Sequence, residues 1–70
     1  MNSWNQLVEY YYSHYRDDIY SKVKCNELFT IIEHKNLNNQ IANKVTFYLK
    51  SNEPLDALIL ACKDTNIKAN

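Results

Sequence analysis

Apolar residues recur along this chain at steps of three and four, the spacing of one face of an α-helix. The first run takes in Trp4, Val8, Tyr11, Tyr15, Ile19 and Val23, and Leu7 widens it. Asn5, Glu9, Ser13, Arg16 and Asp17 lie off that stripe. Ser3 and Gln6 have the spacing of a capping box, serine at the N-cap and glutamine three residues on. The pattern therefore predicts a long first helix over about residues 4–22. A second helix is expected over residues 26–35, with Asn26 as its N-cap. Leu28, Ile31 and Ile32 form its inner face, with Cys25 and Phe29 at the flank. His34 and Lys35 suit the negative end of its dipole. Residues 36–39 read as a turn, because asparagine tolerates left-handed backbone.

A third helix is predicted over residues 40–50, with Ile41, Ala42, Val45, Tyr48 and Leu49 facing inward. Residues 51–53 make a tight connection. Pro54 then sits in the first turn of a fourth helix, where its missing N–H costs nothing. That helix is expected to reach Asp64, with residues 65–70 fraying. From Leu55 to Cys62 only Asp56 is not apolar. Leu55, Leu58, Ile59 and Cys62 make one face of it, and Ala57, Leu60 and Ala61 another. A helix apolar nearly all round has to be covered on more than one side. It is either the central helix of a self-sufficient bundle or a surface that a partner chain completes.

The tyrosines raise the same choice. Tyr11 and Tyr15 belong to the inner stripe, while Tyr10, Tyr12 and Tyr20 fall on its flanks. Tyrosine is enriched in protein interfaces, where its ring supplies area and its hydroxyl stays wet. The plainer alternative is a small core lidded by large rings. Phe47 interrupts the polar face of the third helix. Tyr12, Tyr20, Phe47, Leu55, Leu58 and Leu60 are thus the candidate partner-contacting residues.

Composition narrows the class. Seventy residues make a single domain, residues 1–70. A chain this short buries only about 60% of its unfolded surface, which leaves a marginal core. Glycine is absent and there is one proline. Strand-rich folds and phosphate-cradling loops draw on glycine, so the expected fold is all-α, a bundle of helices. Eight basic and eight acidic residues cancel, which argues against strong attraction to nucleic acid or anionic membrane. No apolar stretch approaches the roughly 18 residues that span a bilayer. The start at Met1 shows neither the basic region nor the apolar run of a secretory leader. The expected compartment is the cytoplasm, with Cys25 and Cys62 reduced and used as small core residues.

The two last helices form a hairpin, over about residues 40–64, that resembles a tetratricopeptide repeat, the helix–turn–helix unit of about 34 residues. Ile41 falls at its first large residue, Tyr48 at its tyrosine, Asn52 at its turn glycine and Ala57 at the small crossing residue. Lys44, Val45, Ala61 and Asp64 depart from the pattern. A closer resemblance in size and layout is to the small tetratricopeptide-like chaperones of type III secretion needle subunits. It covers Leu28 through Lys63, about half the chain, and is carried by Asn52-Glu53-Pro54-Leu55 followed by Ala57, Leu58 and Ile59. The tyrosine-rich first helix lies outside it. The resemblance implies a cytosolic chaperone that covers the needle subunit's apolar helix, with a co-chaperone.

Candidate chemistry is sparse. His14, Cys25, His34 and Cys62 are too far apart in sequence for a zinc signature, so no metal or other cofactor is expected. A Cys–His nucleophile would need a low-pKa thiolate and an oxyanion hole, for which a bundle this small has little room. The carboxylates Glu9, Asp17, Asp18, Glu27 and Glu33 read as solvated faces. No catalytic residue and no small-molecule substrate are expected. Asn39, Gln40, Asn43, Lys44 and Thr46 are residue types that read base edges, and the second and third helices could form a helix-turn-helix. Against that stand the missing turn glycine and the missing basic patch. The expectation is a non-enzymatic protein that binds another protein, or itself, by covering apolar surface. A small DNA-associated regulator and a phage- or plasmid-encoded inhibitor of a host protein are the alternatives.

Overall fold

The first helix ends before Tyr15, and the chain turns between Tyr15 and Asp18. In the computed structural model, which describes residues 3–67, four helices follow one another: α1 (Ser3–His14), α2 (Ile19–His34), α3 (Asn38–Tyr48) and α4 (Pro54–Asp64). The fold is a small all-α bundle, as the periodicity predicts.

The first helix is shorter than expected and the second begins earlier. Asp18 is the reason. Its backbone is extended (φ −111°, ψ 92°), and its carboxylate accepts from the Ser21 amide at 3.1 Å and the Ser21 hydroxyl at 2.8 Å. The first of these satisfies one of the amides at the start of α2 that have no partner within the helix. Those hydrogen bonds also hold the Asp18 carboxyl below the ordinary aspartate range. Asn26, expected as an N-cap, instead lies inside α2, where its carbonyl accepts from the Thr30 hydroxyl at 2.9 Å. Ser3 opens α1, and the residue before it lies outside the described residues.

Asparagine closes two helices. Asn36 (φ 58°) and Asn66 (φ 61°) stand in the left-handed region. Beyond them the Leu37 amide reaches Ile32 O at 3.1 Å and the Ile67 amide reaches Cys62 O at 2.9 Å. This is the double closure that glycine serves in most helices, with asparagine as the common substitute. The second closure folds Ile67 back into the core at 4% exposure. The expected fraying therefore does not begin at Thr65, and residues 68–70 lie outside the described residues.

The core draws on every helix. Trp4, Leu7 and Tyr11 come from α1, Cys25, Leu28, Phe29 and Ile32 from α2, Ile41, Ala42 and Val45 from α3, and Ala57, Leu58, Ala61 and Cys62 from α4. Phe29, expected at a flank, is the aromatic hub. Trp4, Tyr11 and Tyr12 each meet its ring edge to face, with centroids 5.3, 5.5 and 6.0 Å away. Such pairs contribute about 0.5–1.5 kcal/mol beyond their buried area. α3 and α4 pack most extensively, and Ala42, Ala57 and Ala61 on them are buried.

Two tyrosines tie α1 to the start of α4. The Tyr11 hydroxyl donates to the Pro54 carbonyl, and the Tyr15 hydroxyl accepts from the Leu55 amide at 2.8 Å. Glu53, at the N-cap of α4, supplies no side-chain cap of its own. Tyr15 does that work from 40 residues away in sequence.

Candidate protein-binding surface

Asp18 restarts the helical register, and this decides which apolar residues face out. α2 turns Ser21, Cys25, Leu28, Phe29 and Ile32 to the core. Ile19 and Val23, one turn apart, then lie on the opposite side with Tyr20 beside them. They are 70%, 55% and 76% exposed respectively. Ile19 and Val23 were expected on the inner stripe; continuing one stripe across a helix break put them on the wrong side. Arg16, Asp17 and Glu27 are exposed around the patch, and Lys22 is exposed on its edge.

Of the six candidate contact residues, Tyr20 belongs to this patch. Tyr12 stands at its border. Half-buried, it hydrogen-bonds Asn26 Oδ1 at 2.9 Å and, with Lys22, Val23, Asn26 and Glu27, lines an open groove between α1 and α2. Phe47 is 65% exposed on α3, with Lys50 Nζ 5.8 Å from its ring centroid and Tyr48 edge to face at 5.5 Å. Leu55 and Leu60 are half-buried. Leu58 is fully buried and offers nothing to a partner; its face of α4 is covered by the chain's own core. The apolar α4 is therefore covered largely by the chain's own α2 and α3. The outward patch sits on α2 instead, and the signal that could have located it was Asp18 three residues before Ser21.

Cys25 and Cys62 are buried free thiols, and burial pushes each up to about 11. A nucleophilic cysteine needs the opposite shift. His14 lies against Tyr10 and Tyr15, with ring centroids 5.9 and 4.7 Å away. His34 is exposed at the end of α2. Among the described residues, no three of His, Cys, Asp and Glu gather where they could hold a metal ion. Among the same residues, no helix is long and apolar enough to cross a membrane.

Comparison with protein-family models, curated proteins and solved structures finds no match to this chain.

Proposed function

We propose that this chain is a non-enzymatic protein-binding module that docks the apolar face of a helix from another polypeptide on the outer side of α2. The observation that carries this reading is the contiguous exposure of Ile19, Tyr20 and Val23 on one helix face. Single exposed apolar residues are ordinary, but a cluster ringed by charge marks an interaction surface. Tyrosine at its edge adds area at low entropic cost. A helix laid against such a surface is read by anchors three and four residues apart.

A chaperone of the secretion-needle kind is the narrower form of this proposal. Its support is the α3–α4 hairpin with Ala57 at the crossing.

The test compares the protein with Val23→Asp. The wild type is expected to enhance the fluorescence of a hydrophobic dye, and the variant to lose that signal while keeping its helical circular dichroism. A dye-silent wild type with unchanged behaviour in the variant would overturn the reading.

A further inference from the structure

Two of the junctions between helices carry a hard stop, and the first does not. Asn36, left-handed at φ 58°, closes α2, and Pro54 opens α4. Between α1 and α2 stand Tyr15, Arg16, Asp17 and Asp18, none of which a helix excludes. Helix-like hydrogen bonds still run into them: the Tyr15 amide reaches Tyr11 O at 3.0 Å and the Asp18 amide reaches Tyr15 O at 3.0 Å. The apolar steps of four through Tyr11, Tyr15, Ile19 and Val23 also continue across the junction. What bends the chain is the extended backbone of Asp18, held by its carboxylate on the Ser21 amide and hydroxyl. We infer that Asp18 is a catch: when it is released, α1 and α2 straighten into one helix and α1 is exchanged with a second copy of this chain.

Straightening is favourable locally. It gives the amides of Ile19, Tyr20 and Ser21 the carbonyls of Tyr15, Arg16 and Asp17, four residues back. It also carries α1 away from its own bundle. There Trp4 meets Phe29 edge to face and donates to Glu33 Oε2 at 2.9 Å, and the buried Tyr11 donates to the Pro54 carbonyl. An identical chain opened in the same way supplies all of these contacts, so exchange loses none of the core. Two open chains rebuild both bundles, with Trp4 and Tyr11 of each on Phe29, Glu33 and Pro54 of the other. The trade is two capped bends for two continuous helices, and short hinges invite it. The inference does not rest on the docking surface, because the seat of α1 is Phe29, Glu33 and Pro54 rather than Ile19, Tyr20 and Val23.

Sedimentation of the full chain, refolded slowly over a wide range of concentration, tests this. Asp18→Ala removes the cap from the bent form and takes nothing from the straight helix. Dimerisation is therefore expected to strengthen about tenfold or more over wild type, two catches being lost per dimer. Ser21→Ala removes only the hydroxyl bond and should shift it less in the same direction; it decides the matter if Asp18→Ala does not fold. Ile19→Pro places proline in the first turn of α2, which the bent form accepts and a continuous helix does not. Added to Asp18→Ala, it should return the chain to monomer. Tyr12 on α1 and Asn26 on α2, joined at 2.9 Å, report which chain is crossed. With Tyr12→Cys and Asn26→Cys added to Asp18→Ala, a short bis-maleimide should join two chains, the native thiols being buried. Asp18→Ala that folds and stays monomeric at every concentration overturns the proposal. So does a dimer that Ile19→Pro leaves in place, or one whose links lie within single chains, which marks association through a surface instead.

Discussion

Tyr11 is fully buried, and its hydroxyl has one partner, the Pro54 carbonyl. Burial raises its pKa above the ordinary tyrosine value, and the nearby thiol of Cys25 adds to the rise. Removing the hydroxyl deletes one buried hydrogen bond between α1 and α4, which costs about 0.5–1.5 kcal/mol. Tyr11→Phe is therefore expected to lower the melting temperature by roughly 4–8 °C per kcal/mol lost. Tyr20→Ala, at an exposed position, should stay within about 0.5 kcal/mol of wild type. Thermal melts followed by circular dichroism check both. The thiols lead to a second residue-scale expectation. With pKa values raised from 9.0 to about 11, Cys25 and Cys62 stay protonated in the fold and ionise sooner in the unfolded chain. Their contribution to stability is complete below pH 9 and is lost as pH rises toward 11. Denaturation midpoints measured across that window should fall. Replacing both thiols by alanine should lower overall stability and flatten that alkaline slope; a slope unchanged in the double variant would assign it to other groups.

At the scale of the element, the boundary between α1 and α2 matters most. Asp18 ends one register and starts another, and its carboxyl is held low by the two bonds from Ser21. A lowered carboxyl pKa contributes stability above the ordinary value of 3.8, lost as pH falls through the lower folded value. Asp18→Ala is expected to reduce stability at neutral pH and to weaken its fall on acidification. A pH series of denaturation midpoints would show it. The periodicity of apolar residues made all four helices legible, and Pro54 marked the start of α4. The boundary at Asp18 was harder to read because a carboxylate cap preserves the apparent spacing. Tyr15, Ile19 and Val23 still sit at steps of four, although the chain has turned between the first two. For the same reason Leu58 was a plausible contact residue: spacing reveals that α4 is apolar on several sides, not how many of those sides the other helices cover.

For the whole molecule the decisive contrast is between Leu58 and Val23. Both are aliphatic residues on helices, one fully buried and the other 55% exposed. Leu58→Ala is expected to cost about 2–5 kcal/mol, and Leu58→Asp to abolish the fold. Val23→Asp should leave the thermal midpoint close to wild type. Equal destabilisation by the two aspartate substitutions would contradict the placement of α2. A small bundle has little stability in reserve, so this contrast is large against the total. The position of the binding surface is a consequence of the same packing. Trp4, Tyr11 and Tyr12 converge on Phe29 and fix which face of α2 points inward; Ile19, Tyr20 and Val23 are what remains outside.

The chain's own residue order determined the helices, the proline start of α4 and the asparagine turn after α2. These follow from local backbone preferences and from spacing within one helix, which neighbouring residues suffice to set. Tertiary structure decided the rest. Tyr11 and Tyr15 find partners at Pro54 and Leu55, far along the chain, because α1 docks across the start of α4. Ile19 and Val23 face outward because the turn at Asp18 changes the direction in which a regular spacing points. Periodicity specifies which residues share a face. Only packing specifies what that face meets.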